Sequence, residues 1–273
     1  IKNFIKKKGG KFIFNESVSG FKYDKKKITE ICTDKKNYKI GHDEIIISTL
    51  PISLTSRFLG KKNNLKFRGI CSVYLFYNKK YILPKNIHWL YFDSDELIFN
   101  RITEIKKLSK FVAPENKSYL TLEITYSNGD KFSKTDPDII LKKVLDQISK
   151  TKLIDNKYLI GSDINFEPYV YPIQFSDYKN EVARVKSFVE SFDNLFSIGA
   201  GGEFNYADSQ ILFHKSFDLV NGLVNRYADL LNESKNYNSN IFNSHVKIKN
   251  NLVGSGKTTF IVAEAGLNHN GSF

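Results

Sequence analysis

A glycine-rich turn near residue 200 contains the residues best suited to contact a cofactor. It reads LFSIGAGGEFNYADSQ (195–210), and its candidate residues are Gly199, Gly201, Gly202, Phe204, Tyr206 and Asp208. Glycine tolerates positive φ and lets a ligand approach the backbone closely. A helix that begins after Asp208 would also present free N–H groups to a phosphate. The pattern predicts a cofactor contact, although it is equally typical of a tight turn between a strand and a helix.

A second stretch, NLVGSGKTTF at 251–260, contains the letters of a phosphate-binding loop. Such a loop needs G-x-x-x-x-G-K-[ST] between a strand and a helix. Here Asn251 stands where the first glycine belongs, and the following FIVAEAG is a β-type run. The stretch therefore predicts a turn that links two strands, and it argues against a nucleoside triphosphatase.

The charge of the chain is strongly basic but evenly spread. The formal net charge is +12, and lysine runs recur at 6–8, 25–27, 35–36, 61–62, 79–80, 106–107 and 142–143. Spread of this kind predicts a solvated surface, because polyanion grooves gather basic and aromatic residues in one stripe. Nucleic-acid binding is thus disfavoured, while a basic binding module without catalysis stays the alternative to an enzyme.

Other chemistry-bearing residues are scattered. Cys32 and Cys71 lie far apart, and His42, His88 and His214 have no partners at metal-ligand spacing, so no metal site is predicted. No run of 18 apolar residues occurs, which predicts the absence of a membrane span. Sparse cysteines favour a cytoplasmic location.

Apolar patterns predict the elements that must position these residues. Alternation predicts a hairpin over 12–33, and β-branched and aromatic enrichment predicts strands in 42–53, 69–78, 87–94 and 119–127. The Ile-rich run in the first of these strands predicts burial on both faces. Three- and four-residue spacing predicts helices over 135–150, 176–192 and 208–231, the first capped by Asp136 with Pro137 at its first position. The predicted fold class is α+β or α/β with a mixed sheet.

Four segments resemble the flavin-containing amine oxidoreductase superfamily, in its protoporphyrinogen-oxidase-like and UDP-galactopyranose-mutase-like branch. They are GKFIFNESVSGFKYDKKKITEICT, DEIIISTLP, EPYVYPIQFSDY and NLFSIGAGGEFNYADSQ. The resemblance covers most of residues 1–231. It implies an FAD-dependent oxidoreductase with a mixed-sheet substrate domain and part of a Rossmann-like FAD-binding domain. By the same resemblance the glycine turn contacts FAD, with Phe204 and Tyr206 beside the ring.

The resemblance also places Arg101 and Tyr171 toward a small-molecule substrate. Trp89, Tyr91, Tyr171 and Tyr206 are expected to form an aromatic pocket there, although large aromatic residues are more often core. Charged residues placed like Arg101 and Glu123 more often form a surface pair or a pair between neighbouring strands than a substrate contact.

The tail FIVAEAGLNHNGS resembles the beginning of the N-acetylneuraminate (sialic acid) synthase family. The resemblance implies that 245–273 begins a phosphoenolpyruvate-condensing TIM barrel that these residues leave incomplete. Glu264, Asn268 and His269 would contact substrate at the C-terminal end of its first strand. Residues 232–244, rich in Asn and Ser, are predicted to link the two parts.

The chain as a whole is expected to be a fragment. It contains no Met, and it lacks the G-x-G-x-x-G fingerprint that binds the dinucleotide pyrophosphate. We therefore expect the isolated chain to be colourless and inactive. The two resemblances together suggest carbohydrate biosynthesis of surface polysaccharides or nonulosonic acids, and no partner protein is indicated.

Overall fold

The computed structural model describes residues 2–227, 245–248 and 251–254. The chain forms two compact units, Ile1–Lys215 and Ser216–Phe273. Its helices are α1 Lys2–Lys7, α2 Ile52–Phe58, α3 Pro137–Thr151, α4 Tyr178–Val189, α5 Gly199–Gly202 and α6 Ser209–Tyr227. Its strands are β1 Val18–Asp24, β2 Lys27–Thr33, β3 Asn37–Lys39, β4 Ile46–Ser48, β5 Phe67–Tyr77, β6 Trp89–Tyr91, β7 Arg101–Thr103, β8 Ser118–Ser127, β9 Leu159–Pro172, β10 Leu195–Ser197, β11 His245–Ile248 and β12 Asn251–Gly254.

An antiparallel sheet with the order β6-β7-β8-β5-β9 dominates the first unit. Alternate residues of β5 and β8 are buried on one face, as a strand half-covered by a helix requires. There Val73, Leu75 and Leu122 pack with Val144 and Ile148 of α3 in one hydrophobic core. The other side of this sheet, called the open face below, is polar and aromatic.

The predicted strands in 69–78, 87–94 and 119–127 are confirmed as β5, β6 and β8, and the predicted helix over 135–150 is confirmed as α3. The carboxylate of Asp136 accepts a hydrogen bond from the Asp138 backbone N–H at 2.8 Å, and Pro137 occupies the first helical position. Strands β7 and β9 were not predicted. The β9 sequence LIGSDINFEPYVYP contains the strand-disfavouring residues Gly, Ser, Asp, Asn and Pro, which conceal it.

A second core lies where the sheet β1-β2-β3 meets α2, α4 and the parallel pair β4 and β10. The hairpin predicted over 12–33 is confirmed in β1 and β2, and α4 buries Val185 and Val189 as its spacing predicts. The burial predicted for the Ile-rich strand on both faces is wrong. Ile46 is buried, whereas Ile45 and Ile47 are 36% and 45% exposed, because no described element covers that side of β4.

In the second unit β11 and β12 form an antiparallel hairpin. The residues NLVG that open the motif at 251–260 are therefore a strand. The predicted linker 232–244 and the residues Glu264, Asn268 and His269 lie outside the described part of the chain. The incomplete TIM barrel remains an expectation.

Candidate functional site

The glycine turn begins where β10 ends. Gly199 has φ +96°, and a Cβ added to it would meet nothing within 4 Å. Gly201 and Gly202 are helical residues of α5, so the positive φ predicted for them is wrong. A Cβ on Gly201 would make an ordinary contact at 3.4 Å from Pro51 Cα. At Gly202 the missing side chain matters for packing, because a Cβ there would lie only 3.1 Å from Ser197 Oγ.

The aromatic residues of the turn have different surroundings. Phe204 is 3% exposed and packs in the second core, with ring centroids 5.0 Å from Phe67 and 6.4 Å from Tyr178. Its placement beside a flavin ring stays a prediction, since this packing already gives the residue a structural role. Tyr206 is 69% exposed, and its ring centroid lies 5.4 Å from that of Tyr171 at the end of β9. Tyr206 thus joins the turn to the large sheet.

Helix α6 begins directly after Asp208, as predicted. The Asp208 carbonyl accepts hydrogen bonds from the N–H groups of Ile211 and Leu212 at 3.0 and 3.2 Å. The Asp208 side chain is exposed. The free N–H groups of the first turn therefore lie next to the glycine turn, where they can interact with an anionic group.

Two of the predicted substrate residues, Arg101 and Tyr91, lie in one row of side chains on the open face. Register pairs run across the sheet from Tyr91 to Arg101, Glu123, Ser72 and Asn165. Directly paired residues of neighbouring strands lie on the same face. Arg101 and Glu123 are therefore a cross-strand pair on the side of the sheet away from α3.

Arg101 is the best-placed charged group of this row. Its guanidinium donates to the Glu123 carboxylate and, at 3.1 Å, to the Tyr91 hydroxyl. Its Nε is buried and makes no hydrogen bond within the described residues. Burial lowers the pKa of Arg101, but the hydrogen bonds to Glu123 and Tyr91 outweigh this, so that its pKa stands above the ordinary value. The group is a permanent cation that is already oriented on its neighbours.

Tyr171 lies close to this cation. Burial raises the pKa of Tyr171, and the neighbouring Tyr206 raises it further, whereas the positive charge of Arg101 lowers it. The phenol is therefore neutral near pH 7 and can donate a hydrogen bond. Three residues that were assigned separately from the sequence lie together here: Arg101, Tyr171 and Tyr206. This group, called the Arg101 cluster below, offers hydrogen-bond donors to an oxygen-rich ligand.

A row further along the open face holds one other aromatic candidate, Trp89. It runs from Trp89 through Thr103 and Thr121 to Tyr74 and Asp163. Trp89 is therefore on the same face as Arg101 but one row away. The sequence analysis did not single out Tyr74 or Asp163. Their position side by side depends on the pairing of β5 with β9, a strand that was not predicted.

The lysine pair 106–107 was predicted to lie on the solvated surface, which is wrong. Lys106 is 4% exposed, and the Lys107 side chain is 5% exposed. The Lys106 ammonium donates to the carbonyls of Pro114, Glu115 and Lys117, and Lys107 donates to those of Leu83, Pro84 and Ile87. Carbonyl acceptors from distant loops offset the cost of burying each charge.

Two features are absent from the described residues. No helix among them is long and apolar enough to cross a membrane. No group of three or more His, Cys, Asp or Glu side chains in this part of the chain could hold a metal ion.

The fold is similar to those of two solved structures. One is a reduced UDP-galactopyranose mutase, with 18% identity over 64% of this chain and 38% of that chain and a TM-score of 0.53. The other is a protein assigned as a protoporphyrinogen oxidase from Exiguobacterium sp. 255-15, with 12% identity over 68% of this chain and 42% of that chain and a TM-score of 0.53. No family model and no curated protein matches the chain. At these identities the similarity shows a shared fold, and the matched residues span less than half the length of either protein.

Proposed function

We propose that these residues belong to an FAD-dependent oxidoreductase, in which the open face receives substrate and the glycine turn contacts the flavin. The observation that carries the proposal is the contact between Tyr171 and Tyr206. It joins the last residues of the large sheet to the segment that precedes α6. A ligand bound at the turn would therefore have the Arg101 cluster beside it.

The described residues fit the ring end of FAD. Gly199 combines positive φ with open space where a side chain would stand, and Tyr206 offers an exposed ring. The parallel pair β4 and β10 ends at this turn, and Ile45 and Ile47 leave one side of it apolar and uncovered. Parallel sheets are normally covered on both faces. The pair accordingly suits part of a larger FAD-binding domain.

The pyrophosphate end of FAD lacks its binding motif in this chain. No G-x-G-x-x-G occurs in the 273 residues, and that motif supplies the close backbone approach the pyrophosphate needs. The proposal therefore assigns these contacts to a segment that the present residues do not include.

The chain's own side chains would bind and orient the substrate. When bound, the flavin supplies the hydride-accepting chemistry of the reaction. The Arg101 guanidinium would hold a carboxylate, phosphate or hydroxyl oxygen of the substrate, and Glu123 keeps that guanidinium in place. The neutral Tyr171 phenol would donate a second hydrogen bond. Such fixed donors favour one orientation of the substrate toward the turn.

Flavin content tests the proposal. The open reading frame that carries these residues and residues 1–231 alone should be purified in parallel and their visible absorbance compared. We expect about one FAD per chain in the former and none in the latter, since one dinucleotide site serves one flavin. A complete reading frame without flavin would refute the proposed function. Stoichiometric flavin in residues 1–231 alone would refute only the assignment of the pyrophosphate site.

The finer assignments rest on sequence resemblance. The run AEAGLNHNG supports a sialic-acid-synthase-like unit over 245–273, and hence a place in the biosynthesis of surface sugars. Condensation of phosphoenolpyruvate with N-acetylmannosamine should be undetectable for this chain, because one strand cannot form a barrel. Turnover above background would contradict that expectation.

A further inference from the structure

A cavity of about 560 Å³ lies on the open face, at the end of the sheet away from the Arg101 cluster. Its floor is aromatic: Tyr119 contacts Tyr74 and Phe76 with ring centroids 6.3 and 6.2 Å apart. Val112, Pro114 and Ile160 add apolar walls. A volume of this size, mostly apolar with few polar groups, is typical of small-molecule sites.

One wall of the cavity is held by a buried charge. Pro114 and Lys117 line the cavity, and their carbonyls accept hydrogen bonds from the Lys106 ammonium. Three such bonds to one ammonium hold residues 114–117 in place over the aromatic floor. A wall that is already ordered loses little conformational entropy when a ligand binds.

The charged residues that line the cavity are Asp163 and Lys117, and Tyr74 and Tyr119 add phenol hydroxyls. Asp163 is the register partner of Tyr74 and accepts a hydrogen bond from the Ile164 N–H at 2.9 Å. Lys117 is the cationic residue of the lining. Neither forms an ion pair with any residue that the structure describes. A carboxylate only accepts hydrogen bonds and an ammonium only donates them, so the pair suits a neutral ligand with groups that do both.

The aromatic rings narrow the choice further. Their planes are inclined by 56° and 52°, so they form a bent floor without parallel faces between which a flat base could insert. A puckered ring with an apolar face and hydroxyl groups around its edge fits this floor and both charged groups. We propose that this cavity binds a neutral pyranose ring. If the proposed function holds, the ring is the non-reacting part of the substrate.

Strand geometry supports that placement. Tyr119 and Glu123 are four residues apart on β8 and lie on the same face, which separates them by roughly 13 Å. A substrate that extends from the Arg101 cluster along the strand would therefore reach the cavity with one sugar unit. Binding of a remote group can orient the reacting part of a substrate.

Saturation-transfer NMR with methyl β-D-glucopyranoside and methyl β-D-galactopyranoside tests the cavity on the intact chain and needs no flavin. We expect saturation transfer to a pyranoside, weakened about two- to ten-fold in Tyr74→Leu and Tyr119→Leu. Asp163→Asn should weaken it about three-fold, because a neutral amide oxygen accepts a weaker hydrogen bond than a carboxylate does. Tyr119→Phe keeps the ring and should bind like the unmodified chain. Tyr81→Leu, at an exposed tyrosine outside the cavity, is the matched control.

Each alternative result has a defined meaning. Transfer equal to that seen with sorbitol, or unchanged in both leucine variants, overturns the proposal. Stronger transfer to choline or to benzoate also overturns it, because a charged or flat ligand then fits better. Thermal unfolding of every variant identifies those that are misfolded, and Asp163→Asn at an exposed site provides the test if a leucine variant fails to fold. Pyranoside binding without flavin in the complete reading frame would refute the proposed function and leave this site intact.

Discussion

Glu104 and Lys107 form an ion pair almost wholly removed from water, with Nζ 3.4 Å from Oε2 and side chains that are 0% and 5% exposed. Glu104 also accepts hydrogen bonds from the N–H groups of Ile82 and Leu83 at 2.8 and 3.0 Å, and from the Ser118 hydroxyl at 2.8 Å. The pair therefore holds the chain before β6, the start of β8 and the turn after β7 together.

Removal of either partner should destabilise the fold strongly. Glu104→Gln or Lys107→Met leaves one buried charge without its counter-charge, and we expect a loss of about 3–5 kcal/mol in the free energy of unfolding. Urea denaturation measures this loss. The double variant should lose less than the sum of the two single variants, because it leaves no unpaired charge. Single variants that unfold within about 0.5 kcal/mol of the original chain would show that the pair contributes little.

Asn194 acts as a strand partner for Ile28. Its side-chain Oδ1 accepts from the Ile28 N–H at 2.8 Å, and its Nδ2 donates to the Ile28 carbonyl at 3.0 Å, at a position where Asn194 is 3% exposed. Asn194→Leu should therefore leave two buried backbone groups unpaired and cost about 2–5 kcal/mol in urea denaturation. The exposed Asn180→Ala should change stability by less than about 0.5 kcal/mol. Equal effects at the two positions would contradict the proposed bridging role.

Gly199 and Gly201 of the glycine turn should respond differently to alanine. Gly199→Ala forces a Cβ onto φ +96° and is expected to cost about 1–2 kcal/mol. Gly201 is helical, and its added Cβ would make ordinary contact with Pro51 at 3.4 Å. Gly201→Ala should thus be neutral or stabilise the chain by up to about 1 kcal/mol. Thermal unfolding distinguishes them, and the opposite ranking would refute the backbone assignment.

Alkaline pH should weaken the first core through Cys71. Burial raises the pKa of the Cys71 thiol to about 12, from 9.0. A raised pKa means that the stabilising contribution is complete below about pH 9 and is lost as the pH rises toward 12. The stability advantage of the original chain over Cys71→Ala should therefore shrink across this range. Urea denaturation at several pH values follows it, and a constant difference would contradict burial of the thiol.

Local sequence patterns predicted the helices and strands that are buried on one side only. Asp136 and Pro137 mark the beginning of α3, and the alternation of β5 and β8 reflects a sheet covered on one side. The Ile45–Ile47 run gave a false indication of two-sided burial, because a continuous apolar run does not specify which elements will cover it.

The candidate site was predictable in part. Arg101, Tyr171 and Tyr206 were singled out by residue type and by family resemblance, but their meeting depends on strand register. Lys106 and Lys107 were assigned to the surface because their carbonyl partners lie in other loops, 8–24 residues away in the sequence. No local pattern carries information of that kind.

Lys106 and Lys107 hold two loops in place without a bound metal ion. Each ammonium contacts three carbonyl oxygens. In calcium-binding loops, backbone carbonyls are instead held together by a bound metal ion. Here the cation is covalently attached to the backbone and cannot dissociate. The conformation of residues 83–87 and 114–117 should accordingly be indifferent to chelators and to the supply of divalent ions.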